Sequence, residues 1–290
     1  VNDDLSAIRS QRGVALMGIV NTTPDSFYDG GRHDAPEAAR RHVDALLAAG
    51  ADVLDIGGES TRPGATPVPA REQWHRIEPA LDYALERGAL VSVDTTQPDT
   101  AELALSRGAH IINDVSCLSE PELARVVARH GAVLLLMHSR GGMQDMSGFS
   151  AYPDRGYGDV VADVRTEWAR ARDVAVAQGM APDAVWFDPG LGFHKNARHS
   201  FELLSRLNEL SDLAAPIVVG ASRKSFLAAG DGSAPEERLG GTIAACLHAV
   251  SRGAAMLRVH DVHAVAQALR VARTLQAPAQ RPTPERRLDA

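Results

Sequence analysis

Asn21, Asp55, Asp94, Asn113 and Asp188 are amide and carboxylate side chains, each at or near the end of a short apolar run. Ser222, Arg223, Lys224, Arg258 and His260 cluster at the ends of two more runs. The two groups divide by the chemistry they can do. A buried carboxylate accepts two coplanar hydrogen bonds from a guanidine-like edge. An amide donates and accepts at once, which matches the edge of an amide-type ring. Asp55, Asp94, Asn113 and Asp188, joined by Lys224, therefore suit a flat heterocycle with alternating donors and acceptors. Arg62, Arg223, Lys224, Arg258 and His260 suit a phosphate or carboxylate, Arg through a planar fork and Lys as a point charge. Asn21 offers a neutral oxygen donor, which fits Mg2+, an ion held by a few protein oxygens together with water and substrate phosphates.

Such residues act together only if the chain carries them to one place. The apolar runs are VALMGIV (14–20), ADVLDI (51–56), ALVSVD (89–94), HIINDV (110–115), AVLLLMH (132–138), AVWFD (184–188), PIVVG (216–220) and AAMLRVH (254–260). Each has the length of a strand buried on both faces. Between them lie segments with helical spacing. In APEAARRHVDALLAAG, Ala39, Val43, Leu46 and Leu47 share one face and charges occupy the other. Gly50, Gly88, Gly108, Gly131, Gly179 and Gly253 stand where helices should stop, since a left-handed residue relieves the last carbonyls. Right-handed crossovers stack such strands in parallel, and eight units close on themselves. The expected fold is α/β, a single (β/α)8 TIM barrel over residues 1–275, with the active site at the C-terminal ends of the strands. An open doubly wound sheet is the competing architecture. Residues 276–290, rich in Pro and charge, read as a disordered tail.

Composition narrows the function classes. The 290 residues are 44% hydrophobic and 23% charged, as in a globular protein with a large core. A net charge of −7 argues against a general nucleic-acid surface, so an anionic ligand requires a local basic pocket. Cys117 and Cys246 have no metal-like spacing and read as free thiols of a reducing compartment. The first residues lack the apolar core of a signal peptide, and no window reaches the roughly 18 apolar residues of a membrane span. The expectation is a cytoplasmic protein with no membrane and no nucleic-acid partner.

Taken singly, an Asp or Asn at a strand end is as well explained as a cap on the following helix, and Asp114 and Asp261 fit that description best. Polar groups at the ends of all eight runs are not well explained by capping. At the segments GIVNTTPDSFYDGG, ADVLDIGGESTRPGA, VDTTQPDTAELALSRGAHIINDVS, FDPGLGFHK, GASRKSFL and RVHDV the chain resembles a dihydropteroate synthase of the bacterial type, from about residue 13 to residue 273. Six segments in order, each at a strand end, make the resemblance specific.

The resemblance implies condensation of 6-hydroxymethyl-7,8-dihydropterin diphosphate with 4-aminobenzoate, with pyrophosphate released. By motif match, Asp55, Asp94, Asn113, Met137, Asp188, Phe193 and Lys224 would hold the pterin. Thr61, Arg62, Arg258 and His260 would hold the diphosphate, and Asn21 the Mg2+ that travels with it. Phe27, Thr61 and Ser222 would receive the aminobenzoate, with Ser222 near the start of the following helix. Asp94, Lys224, Arg258 and His260 would carry the catalysis. The resemblance also implies a homodimer built through the later helices, for which the small-residue stretch GGTIAACLHAV (240–250) is suited. Two further readings compete: a corrinoid-linked methyltransferase, which would not need the SRK and RVH anion groups, and a pterin-binding paralogue without turnover. The stretch 137–159 matches the resemblance only loosely.

Overall fold

Alternation at period two sorts the strand residues of this chain into an inward and an outward set. In the computed structural model, which describes residues 7–8, 12–23, 35–59, 66–141, 146, 148 and 150–276, each of the apolar runs forms a strand. These are β1 (Ala15–Asn21), β2 (Val53–Gly57), β3 (Leu90–Asp94), β4 (Ile111–Asp114), β5 (Val133–Met137), β6 (Val185–Asp188), β7 (Val218–Val219) and β8 (Met256–Val259). They pair in parallel in the order β6-β5-β4-β3-β2-β1-β8-β7. Phe187 and Ile217 close the ring with a single bridge, and the Phe187 N–H donates to Pro216 O at 3.0 Å. The TIM barrel is therefore complete but thinly stitched between β6 and β7.

The helices α1 (Ala35–Ala48), α2 (Ala70–Glu86), α3 (Pro98–Arg107), α4 (Pro121–Arg129), α5 (Val160–Ala177), α6 (Ala197–Ser205), α7 (Leu239–Ser251) and α8 (Val262–Gln276) alternate with the strands. Their starts follow local chemistry. Pro98 and Pro121 open α3 and α4, where a missing N–H costs nothing. Asp159 caps α5 by accepting from the N–H groups of Val161 and Ala162. Their ends follow the glycines, all six of which have positive φ, from 62° at Gly131 to 112° at Gly108.

Two apolar layers result. Ala15, Met17, Val53, Ile111, Val133, Leu135, Trp186, Val218 and Met256 pack inside the barrel. Their strand neighbours, such as Leu54, Ile56, Val91, Val93, Leu134 and Leu136, pack outward with the helices, among them Val43, Leu46, Ile77 and Trp168. Each such buried aliphatic side chain stabilises the fold by about 1.5–3 kcal/mol. Leu47, expected on the buried face of α1, is only half-buried at its margin. The expected tail falls outside the described residues from 277 onward.

Candidate active site

The same parity that fills the barrel decides which strand ends face its mouth. Val53 points inward, so Asp55 does; Ile111 points inward, so Asn113 does. The rule carries Asn21, Asp94, Met137, Asp188 and Arg258 to the interior face and turns Asp114 away. Asp114 is fully buried, and its carboxylate accepts from the Ser116 N–H and hydroxyl and from the Leu118 N–H. It closes the turn after β4 and does not cap the following helix as expected, since Glu120 holds the N-cap position of α4.

Register then brings the inward residues together. Asp94 lies beside Asn113 on one side and Gly57 on the other, and Met137 lies beside Asp188. Arg258 Nε donates to Asp55 Oδ2 at 2.6 Å, and its Nη2 donates to Asp94 Oδ2 at 2.9 Å. Asn113 Nδ2 donates to the same Asp55 oxygen at 3.1 Å. Asp55 is fully buried, yet its Oδ1 has no hydrogen-bond partner among the described residues. A buried carboxylate oxygen without a donor is costly, and a ring N–H would satisfy it.

Opposite this group stand Asp188 and Lys224. Asp188 Oδ1 accepts from the Gly190 N–H at 2.7 Å. Lys224 Nζ donates to Leu191 O at 2.6 Å and sits 4.5 Å over the Phe193 ring. Gly220 keeps the space between them clear. A Cβ there would lie 3.6 Å from Asp188 Oδ2, 3.8 Å from Lys224 Nζ and 3.9 Å from Arg258 Cβ. Met137 and Phe193 are buried in one apolar cluster with Val115 and Met146, forming a wall of the slot.

Burial sets the protonation of this group. Asp94 is pushed up to about 7 by burial, which Asp55 reinforces and Arg258 opposes. Asp188 is also raised by burial, against the pull of Lys224. Burial lowers Lys224 to about 8, with Arg258 adding and Asp188 opposing. Two carboxylates and one guanidinium at hydrogen-bond distance explain why Arg258, though half-buried, stays firmly charged.

The anion side differs from the sequence expectation in three ways. Arg258 does not stand on a separate cationic shelf; it is inside the carboxylate slot. His260 is lowered to about 4 by burial and by Arg258 and Arg223, so its ring is neutral in the free protein. Its Nδ1 lies 3.0 Å from Ser222 Oγ, which also accepts from the His260 N–H at 3.2 Å. Arg223, held at φ 58°, forks onto Asp261 at 2.6 and 2.9 Å and is thereby drawn aside. Asp261 is thus an ion-pair partner as well as the residue before α8. Ser222 is followed along the chain by a 3₁₀ turn, Ser225–Ala228, and α7 starts only at Leu239. The link to that helix is spatial: the Arg223 N–H donates to Thr242 Oγ1 in its first turn at 3.0 Å.

Asn21 ends β1 exposed at the mouth, paired in register with Gly57. Phe27, Thr61 and Arg62 lie outside the described residues. His263 is exposed, as expected. Sequence reasoning placed His138 at the end of the fifth strand but passed over Gly220, the carbonyl of Leu191, buried Lys195 and half-buried Glu167. Gly220 was within a quoted strand and Lys195 within FDPGLGFHK, so each was in view; only the fold shows what they touch.

Known proteins agree with this geometry. The pterin binding enzyme family matches residues 17–260. The dihydropteroate synthase of Synechocystis sp. is 41% identical over 263 residues, 90% of this chain and 89% of that protein. The solved structure of Xanthomonas albilineans dihydropteroate synthase with 4-aminobenzoic acid superposes with a TM-score of 0.84 at 41% identity, over 91% of this chain and 93% of that one. The same organism's enzyme in complex with 7,8-dihydropteroate gives 0.80 at 38% identity, over 91% and 94%. Inward carboxylates, a buried lysine and an arginine between them thus stand in a barrel alike in fold and sequence to these enzymes, and the chain belongs to the dihydropteroate synthases of the pterin binding enzyme family.

Proposed function

We propose that the barrel mouth performs the reaction of that family, joining 6-hydroxymethyl-7,8-dihydropterin diphosphate to 4-aminobenzoate to give 7,8-dihydropteroate and pyrophosphate. The observation that carries this reading is the slot itself: Asp55, Asp94, Asn113 and Asp188 converge on one end, with a buried Asp55 oxygen lacking a donor. A pterin ring offers that edge the amino and ring N–H donors it needs. The Met137 and Phe193 cluster lines one side of the ring, and Lys224 donates to its carbonyl side.

The chemistry then follows from charge. The bond from the methylene carbon to the diphosphate oxygen breaks, and its electron pair leaves with pyrophosphate. The positive charge left on the pterin methylene is met by ionised Asp94. The aromatic amine of 4-aminobenzoate is a nucleophile as it stands; it attacks that carbon and gives up a proton to the departing phosphate or to water. Arg258 and the His260 N–H receive the leaving group, and Ser222 the aminobenzoate carboxylate. Phe27, Thr61 and Arg62 are assigned to the diphosphate and aminobenzoate by their motifs. The loops that carry them would keep water from the cation.

Mg2+ fits the donors present. Among the described residues, no group of three His, Cys, Asp or Glu side chains gathers to hold a metal. An ion here would take the Asn21 amide oxygen together with substrate oxygens and water, a set that Mg2+ accepts. When bound, it neutralises charge on the leaving diphosphate. We also assign the chain to a cytoplasmic homodimer formed through α6–α8. Free Cys117 and Cys246 accord with a reducing compartment.

The test is pyrophosphate release from pterin diphosphate, with and without 4-aminobenzoate and Mg2+. Release that requires all three is expected. Release without 4-aminobenzoate would mean hydrolysis rather than transfer.

A further inference from the structure

Lys195 is fully buried, and a lysine in that position must have its donors filled. Its Nζ donates to His138 Nδ1 at 2.9 Å, to His138 O at 3.3 Å and to Phe193 O at 3.1 Å. Three donors meet three acceptors, and none of these is a carboxylate. With Nδ1 accepting, the proton of neutral His138 sits on Nε2, which donates to Glu167 Oε2 at 2.9 Å. Glu167 in turn takes the fork of Arg140 at 2.5 and 2.9 Å. Burial and the neighbouring Lys195 hold His138 down to about 3, which agrees with a neutral imidazole.

For stability alone, an apolar side chain in this space would serve better, because burial lowers Lys195 to about 7 even with Asp188 opposing, and a polar head held there retains much of its desolvation cost. What the ammonium gains is placement. Its acceptors belong to two segments that build one wall of the slot: His138 directly follows Met137 at the end of β5, and Phe193 packs in the same apolar cluster as Met137. Between them the chain makes an unusual turn, with Gly190, Gly192 and His194 at φ of 65°, 81° and 45°. Gly190 lies so close to β5 that a Cβ would fall 2.0 Å from His138 O and 3.3 Å from Lys195 Nζ. That turn supplies the N–H that holds Asp188, the carbonyl that holds Lys224 and the ring beneath the Lys224 ammonium.

We propose that Lys195 is a positioning residue that ties the β5 end to the 188–195 turn, fixing the apolar wall that Met137 and Phe193 form together and the aim of Lys224 without touching substrate. This rests on the reading that the slot holds the pterin. Ser222, the aminobenzoate candidate among the described residues, contacts His260 and not the tether, so the two substrates respond differently.

The test is steady-state kinetics of Lys195→Met beside the wild type, varying each substrate in turn. The KM for pterin diphosphate should rise about tenfold or more while that for 4-aminobenzoate stays within about twofold, the split expected when one substrate's walls are displaced. Glu167→Gln, at the partly exposed end of the chain of contacts, should shift the pterin KM the same way by about threefold and decides the matter if Lys195→Met does not fold. Equal rises in both KM values, or a lower thermal midpoint with wild-type kinetics, would overturn the proposal. A wild type that releases no pyrophosphate from pterin diphosphate would instead overturn the functional reading on which it stands.

Discussion

Asp94 and Lys224 carry the charges that this slot needs, and burial moves both toward neutrality. For Asp94 the raised value means that its charge is lost as pH falls through about 7. For Lys224 the lowered value means that its charge is lost as pH rises through about 8. The value of kcat/KM for pterin diphosphate reports the free protein, so it should form a narrow bell between those limits. Its limbs are macroscopic, because the two sites share Arg258 as a neighbour. Asp94→Asn should flatten the acid limb and lower the maximum by about a hundredfold or more, the scale of losing a charge aimed at the transition state. A pH–rate profile of that variant with the wild-type acid limb would show that another group titrates there. Among the residues at this scale, the aspartates were legible because a carboxylate at a strand end is visible in one line of sequence. The neutral state of His260 was not, since it depends on burial first and then on the charges of Arg258 and Arg223, both set by the fold.

At the scale of elements, two glycines at the mouth separate binding from folding. Gly220 follows β7 and leaves only ordinary contact distances of 3.6–3.9 Å to an added methyl. Gly220→Ala should fold with wild-type stability within about 0.5 kcal/mol, yet weaken pterin binding by occupying the slot, as calorimetry with 6-hydroxymethylpterin would record. Gly190 is the reverse case. Its φ of 65° and the 2.0 Å approach of a Cβ to His138 O give an alanine nowhere to go. Gly190→Ala should destabilise the protein by about 2 kcal/mol or more, measured by denaturant melting. A stable Gly190→Ala variant would mean that the β6–α6 turn is not packed as described. Strand and helix order was readable because alternation and C-terminal glycines are local signals. The brevity of β7 and the 3₁₀ turns before α7 were not, since they answer to how the barrel closes.

At the scale of the molecule, four of the seven exposed large apolar side chains among the described residues, Phe201, Leu239, Val271 and Leu275, lie on α6–α8. No helix among the described residues is long and apolar enough to cross a membrane. A second copy packed on these three helices would cover that surface, in line with the homodimer assigned above. Light scattering should give twice the chain mass for the wild type. Phe201→Glu combined with Val271→Glu should move the population toward monomer, with the melting temperature recorded to exclude unfolding. A wild type that is monomeric at micromolar concentration would remove the dimer from the account.

The eight parallel strands and the polar groups at their ends were legible in the lengths of the apolar runs, the helix-ending glycines and strand-end chemistry, all of which act over a few residues; which face of each strand turns inward was not, because the runs are apolar on both. What only the folded chain decided is who meets whom. Arg258 reaches Asp55 across 203 positions of sequence and Asp94 across 164, and Lys195 reaches His138 across 57. No local rule could pair them, because the distance between two side chains on a closed barrel depends on strand register and on the hand of every crossover between them.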